Sequence, residues 1–134
     1  MSPADNLLAR KDIKKILGVS GRGWQECNMV VHTFLLGDWM LNLAPKVTDI
    51  LTDGSVDVLV YSGDKDFICN WRGGEAWTNG CKWDGQADFK KQEYKEWAVG
   101  STSAGSLKTY KNLKFLRVFE AGHMVPMNQP EAAL

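Results

Sequence analysis

The sequence has no long hydrophobic run, no excess of charge of either sign and no basic-then-apolar stretch at its beginning. Its longest apolar stretches, such as residues 56–60, are far too short to form a helix that spans a bilayer. Sixteen Lys and Arg residues balance sixteen Asp and Glu residues, so charge gives no reason to expect nucleic acid or an anionic membrane as a partner. The length of 134 residues favours one globular domain that covers residues 1–134.

Cysteine is also scarce, with three residues at positions 27, 69 and 81. An odd number leaves at least one thiol unpaired within this chain, and a bridge between Cys27 and Cys81 stays open. A zinc site built from Cys27, His32, Cys69 and Cys81 is disfavoured, because the chain has no Cys-x-x-Cys and no closely spaced pair of histidines. We therefore expect neither a metal nor a cofactor.

The pattern of apolar residues predicts a chain that mixes helices and strands. Residues 1–10 are expected to be a loose lead-in, and Gly37-Asp38 is expected to break a helix that Asn28 caps. Two short apolar runs each end at a glycine, which predicts buried parallel strands. The predicted helices cover residues 12–17, 29–35, about 41 or 45 to 51, 70–77 and from 130, and the predicted strands cover 56–61, 96–99, 107–110 and 115–119. A chain that stops at Leu134 just after a helix begins is expected to be truncated.

Polar residues follow both predicted parallel strands at the point where each strand ends. Asp64 and Asp66 come after the first strand, and His123 comes after the second. Open α/β sheets place their sites at this edge. A carboxylate there can orient an imidazole, which takes a proton from a nucleophile. The alternative is that the aspartate stabilises a turn and the histidine is an ordinary loop residue.

Four blocks of residues resemble the C-terminal part of serine carboxypeptidases of the carboxypeptidase Y and cathepsin A type. The last two blocks are the most specific, since they contain the two polar strand ends. The blocks are Glu26-Cys27-Asn28, Gly37-Asp38-Trp39-Met40, residues 60–71 and residues 116–126, and they are followed by Gln129-Pro130-Glu131-Ala132-Ala133-Leu134.

The resemblance implies an α/β-hydrolase fold, of which this chain would be a C-terminal fragment with an incomplete sheet, and a Ser-Asp-His triad in that chain order. Asp66 matches the triad acid, because the family pattern Gly-x-x-Asp selects it over Asp64, and His123 matches the triad base. Cys69 and Met124 match residues of the substrate pocket. A further implication concerns Cys27, which matches a family cysteine that forms a disulfide with a partner far upstream.

The nucleophile of such an enzyme is missing from this sequence. No Gly-x-Ser-x-Gly or Gly-x-Ser-x-Ala occurs, and the nearest imitation contains Ser103, which we expect in a hairpin turn. The resemblance therefore implies a serine carboxypeptidase that removes C-terminal residues from peptides or proteins when the missing N-terminal part is present. The 134-residue chain alone would be inactive and would fold poorly.

The family resemblance also implies a vacuolar, lysosomal or secreted protein. An alternative of a different class is a non-catalytic carboxypeptidase-like binding module. Its surface could be built from some of the six tryptophans. The sequence leaves the preferred C-terminal residue of the substrate and the oligomeric state open.

Overall fold

The computed structural model describes residues 2–134, which divide into one unit that ends at Leu41 and a second unit, Asn42–Leu134. The first unit holds four short helices without buried residues: α1 (Pro3–Ala9), α2 (Lys11–Ile16), α3 (Met29–Phe34) and α4 (Leu36–Trp39). The expected cap is confirmed, because the Asn28 side chain accepts hydrogen bonds from the first turn of α3.

Two expectations for this unit are wrong. Residues 1–10 were expected to be loose, but the chain forms α1, because Ser2 and Asp5 cap each other's backbone N–H groups in a capping box. Gly37 and Asp38 do not break the helical region but lie inside α4, which begins directly after α3 ends. Both differences involve short helices; α1 is capped by side chains, whereas α4 has no side-chain cap.

The second unit contains a four-stranded mixed sheet with helices around it, which agrees with the expected α/β class. Its strand order is β1-β4-β3-β2, with β1 parallel to β4 and the other neighbours antiparallel. The element α7 was not predicted. The elements are α5 (Ala44–Asp53), β1 (Val58–Gly63), α6 (Trp71–Gly80), α7 (Gln86–Lys91), β2 (Lys95–Val99), β3 (Thr102–Tyr110), β4 (Leu113–Val118), α8 (Val125–Asn128) and α9 (Pro130–Ala133).

The hairpin between β2 and β3 is tighter than expected. Gly100 adopts a φ of 60°, which allows the chain to reverse within two residues, so β3 already begins at Thr102. Ser103 therefore pairs with Ala98 inside the sheet and is not a turn residue. A serine in a regular strand lacks the sharp strand-to-helix turn that exposes the nucleophile in hydrolases.

Buried side chains lie on both faces of the sheet. One cluster contains Phe89, Leu113 and Phe115, and the other contains Leu116 and Val118. The prediction of a buried first strand is met only in part, because Val58 and Val60 are partly buried and Leu59 and Tyr61 are each about half exposed (53% and 52%). Within residues 2–134, no helix is long and apolar enough to cross a membrane.

One buried position on the sheet is a cation. The Lys108 side chain is 3% exposed, donates a 3.0 Å hydrogen bond to Asn79 Oδ1, and lies over the rings of Phe89 and Tyr94. Burial lowers the pKa of Lys108, because desolvation penalises the charged form. This lysine is held by aromatic faces and one amide oxygen.

Candidate active site

Strands β1 and β4 end side by side at one edge of the sheet, where Gly63 pairs with Val118. The acidic loop (residues 64–70) leaves β1 and the histidine loop (residues 119–124) leaves β4. Two backbone hydrogen bonds of 2.9 Å join these segments, from Asp64 N to Val118 O and from Lys65 N to Ala121 O. The sheet therefore brings together two loops whose polar residues are far apart in sequence.

Gly63 allows the two loops to approach closely. A Cβ atom at this position would lie 2.2 Å from the carbonyl oxygen of Ala121 and 2.4 Å from that of Gly122. Such distances are far below van der Waals contact, so only glycine fits here. The absence of a side chain at Gly63 thus allows the histidine loop to lie against the end of β1.

The two loops bring Asp66 and His123 into direct contact. The distance from His123 Nδ1 to Asp66 Oδ2 is 2.9 Å. The other oxygen of Asp66, Oδ1, accepts 3.0 Å hydrogen bonds from the N–H groups of Ile68 and Cys69. The Asp66 side chain is only 5% exposed, whereas the His123 side chain is 60% exposed. The carboxylate is therefore fixed and buried, and the imidazole projects from it toward the solvent.

The environment of Asp66 favours its ionised form. Burial raises the pKa of Asp66, but the hydrogen bond with His123 and those from the backbone of Cys69 and Ile68 outweigh it and leave the pKa below its usual value. An ionised carboxylate can only accept hydrogen bonds. Nδ1 of His123 therefore carries a proton, and this N–H group donates a hydrogen bond to Asp66. This leaves Nε2 as the nitrogen with a free lone pair in the neutral ring.

Asp64 has a different partner, although it lies only two residues from Asp66. Its Oδ2 atom lies 3.5 Å from Arg117 Nη2, and its side chain is 13% exposed. Arg117 in turn stacks over the ring of Trp71 at 4.3 Å. Of the two carboxylates considered from the sequence, Asp66 is the one that contacts the histidine.

Two contacts that the sequence analysis did not find hold the histidine loop. Lys65 forms an ion pair with Glu120 across the two loops, and Glu120 adopts the left-handed backbone conformation with a φ of 55°. Asn128 Oδ1 accepts a 2.9 Å hydrogen bond from the N–H group of Gly122. Lys65 and Glu120 are 55 residues apart, so no local sequence signal could have paired them.

Cys69 and Met124, the predicted pocket residues, are both exposed. Cys69 lines a groove along β1 and the beginning of α6, together with Tyr61, Asn70 and Trp77. Met124 directly precedes α8 and lies outside the lining of this groove. Their shared role in a substrate pocket stays a prediction.

All three cysteines are free thiols, so Cys27 and Cys81 do not form a bridge in this structure. Within residues 2–134, Asp66, Cys69 and His123 form a group of potential metal ligands whose ligand atoms all lie within 4.8 Å of one another. Of the four residues considered for zinc from the sequence, only Cys69 belongs to this group.

Comparisons with known proteins show which family the chain resembles. The sequence profile of the family described as "Serine carboxypeptidase" matches residues 1–134. The chain is 46% identical over 132 residues to carboxypeptidase Y of Candida albicans, which covers 97% of this chain and 24% of that protein. It is 41% identical over 133 residues to serine carboxypeptidase-like 49 of Arabidopsis thaliana, which covers 99% of this chain and 26% of that protein. This chain thus spans about a quarter of the length of these relatives.

The fold is also similar to a solved structure. The crystal structure of Kex1(delta)p, a prohormone-processing carboxypeptidase from Saccharomyces cerevisiae, matches with a TM-score of 0.75 and 23% sequence identity. The match covers 94% of this chain and 28% of that chain. This likeness shows the fold, in which the four-stranded sheet is part of an α/β-hydrolase. With the profile match over residues 1–134, the chain belongs to the serine carboxypeptidase family.

Proposed function

We propose that this chain supplies the acid and the base of a serine carboxypeptidase, an enzyme that hydrolyses the C-terminal peptide bond of peptides or proteins. The observation that carries the proposal is the 2.9 Å contact between buried Asp66 and exposed His123 at the end of two parallel strands. Membership of the family supports the reaction type.

In this proposal each residue has one task. Asp66 accepts a hydrogen bond from the Nδ1–H group of His123, which fixes the tautomer of the ring and stabilises the imidazolium that forms during reaction. Nε2 of His123 takes the proton from a serine hydroxyl as that serine attacks the substrate carbonyl. Nε2 then donates the proton to the leaving amine. Cys69 and Met124 would contribute apolar, polarisable walls to the substrate pocket.

No Gly-x-Ser-x-Gly or Gly-x-Ser-x-Ala segment occurs in these 134 residues, and the family resemblance implies that the serine, the oxyanion hole and the groups that bind the substrate carboxylate lie further upstream. We propose that they belong to another part of the same catalytic domain. Without a nucleophile and without oxyanion donors, a triad loses nearly all of its rate enhancement. The 134-residue chain alone is therefore expected to release no C-terminal amino acids. The family resemblance supports a vacuolar, lysosomal or secreted location for the enzyme.

The proposal is tested by two matched carboxylate variants in a protein that carries both this sequence and the nucleophile. Asp66→Asn is expected to lower kcat by roughly 10⁴-fold, because the amide stabilises the wrong histidine tautomer. Asp64→Asn removes the same charge two residues away and is expected to be mild, since Asp64 contacts Arg117. His123→Ala is expected to lower kcat by about 10⁴-fold or more. The assay is release of the last residue from a blocked dipeptide.

The reverse order of the two aspartate variants, or an active His123→Ala enzyme, would refute the assignment. The intact mass of the protein from its natural source separates the enzyme from the binding-module alternative. A mass well above 15.0 kDa, with a serine-bearing segment upstream, agrees with the enzyme. A mass near 15.0 kDa favours a binding module.

A further inference from the structure

The edge of the sheet brings three chemically different metal ligands together. Asp66 offers a carboxylate oxygen, Cys69 a thiol sulfur and His123 a ring nitrogen, and these atoms all lie within 4.8 Å of one another. Two of the three, Cys69 and His123, are exposed, so a cation from solution can reach them. The question is whether this set can close around one ion.

The ligand types and distances suit zinc. Zn²⁺ accepts oxygen, nitrogen and sulfur ligands in tetrahedral geometry, with bonds of about 2.0–2.3 Å, so a sulfur and a nitrogen on one ion lie about 3.5 Å apart. Because no two of the three ligand atoms are more than 4.8 Å apart, each pair has to close by at most about 1 Å to reach such a separation. Nδ1 of His123 and Oδ2 of Asp66, at 2.9 Å, need only a small separation to admit the ion.

The carboxylate of Asp66, which is the buried ligand of the three, is already held in place. Oδ1 of Asp66 is fixed by the N–H groups of Ile68 and Cys69 at 3.0 Å. Oδ2 has His123 as its partner and can exchange that partner for a cation. Hydrogen bonds to the non-coordinating oxygen orient the carboxylate, as outer-shell contacts do in known metal sites.

We propose that Asp66, Cys69 and His123 bind a thiophilic divalent cation such as Zn²⁺ in competition with the hydrogen bond between Asp66 and His123. On binding, the Cys69 thiol releases its proton to solvent, and the Nδ1 proton of His123 is replaced by one on Nε2. Sulfur, Nδ1 and Oδ2 then coordinate the ion, no electron is transferred, and water occupies the fourth position. Because Nε2 is then protonated and Nδ1 is occupied, a bound ion removes the histidine lone pair that acts as a base. This last consequence rests on the proposed function, but binding itself does not.

The test uses a protein that carries both this sequence and the nucleophile-bearing part of the domain, with its accessible thiols reduced, because the 134-residue chain alone is expected to fold poorly. Co²⁺ is titrated first, because a cobalt–thiolate bond gives a charge-transfer absorption band, and Zn²⁺ is then added to displace it while calorimetry records the affinity. Cys69→Ser is expected to abolish the band. His123→Gln is expected to weaken Zn²⁺ binding by at least about 10-fold, since even outer contacts of metal sites are worth 10- to 100-fold.

The chain offers a matched control for each variant. Cys27→Ser and His32→Gln change the same residue types in the first unit, at an exposed and a half-buried position respectively, and both are expected to bind the two metals as the wild type does. Absence of a cobalt–thiolate band in the wild type would overturn the proposal. So would a band that survives in Cys69→Ser, or one that Cys27→Ser or His32→Gln abolishes, which would show ligation elsewhere. None of these results depends on peptide hydrolysis, so the peptidase proposal stands or fails separately.

Discussion

Replacement of Gly63 by alanine tests how the site is positioned. The new Cβ would lie 2.2 Å from the carbonyl oxygen of Ala121, whereas Cβ contacts below 3.0 Å are essentially never seen. The histidine loop must therefore retreat by about 0.8 Å. The obstructing atoms are backbone carbonyls, so no side-chain rotation can relieve the contact.

The displacement of the histidine loop in Gly63→Ala is expected to lower the stability of the fold and to change the geometry of the site. Forced overpacking of this kind costs about 1–3 kcal/mol of unfolding free energy. It also lengthens the 2.9 Å contact between His123 and Asp66, because His123 directly follows the displaced Gly122. In a protein that carries the nucleophile, misplacement on the scale of 1 Å lowers the rate by about 10²-fold.

The stability effect is measured by urea unfolding of Gly63→Ala, followed by circular dichroism. Gly80→Ala is the matched control, because a Cβ there has no neighbour within 4 Å and φ is not positive. We expect the control to be unchanged or up to about 1 kcal/mol more stable. If both variants unfold at the wild-type urea concentration, the close approach of the two loops at Gly63 is refuted.

Two further predictions concern pH. The pKa of Asp66 is lowered in the fold from its usual value of 3.8. The ionised carboxylate therefore stabilises the protein when the pH is above 3.8, and this contribution is lost as the pH falls through the lowered pKa. The urea midpoint of the wild type should therefore fall more steeply than that of Asp66→Asn between about pH 5 and about pH 2; parallel curves would contradict this. Burial lowers the pKa of Lys108, so its charge destabilises the fold below that lowered pKa, and the penalty disappears as the pH rises toward 10.5. Lys108→Met should be more stable at neutral pH by up to about 2 kcal/mol, with an advantage that shrinks in alkaline solution; an advantage that grows with pH would be inconsistent with a buried cation.

Much of the fold could be predicted from local sequence. Asn28, as a helix cap, and Gly54, which ends α5 with a φ of 72°, are recognisable from residue type alone. The apolar runs of β1 and β4 predicted strands that end at glycines, and the structure places both strands side by side in parallel. The misjudged segments, α1, α4 and the beginning of β3, are short; α1 depends on one capping box and the beginning of β3 on the turn at Gly100.

The sequence by itself determined the family, the mixed α/β class and the two strand ends that carry Asp66 and His123. Only the tertiary structure brought these ends together, because the parallel pairing joins residues such as Gly63 and Val118 that no local interaction connects. The contact of His123 with Asp66, which the family pattern had selected over Asp64, also forms only in the folded chain. The close approach at Gly63 and the ion pair of Lys65 with Glu120 depend on the same pairing. Local sequence encodes turns and periodicity, but contacts across 55 residues arise from the register of the sheet.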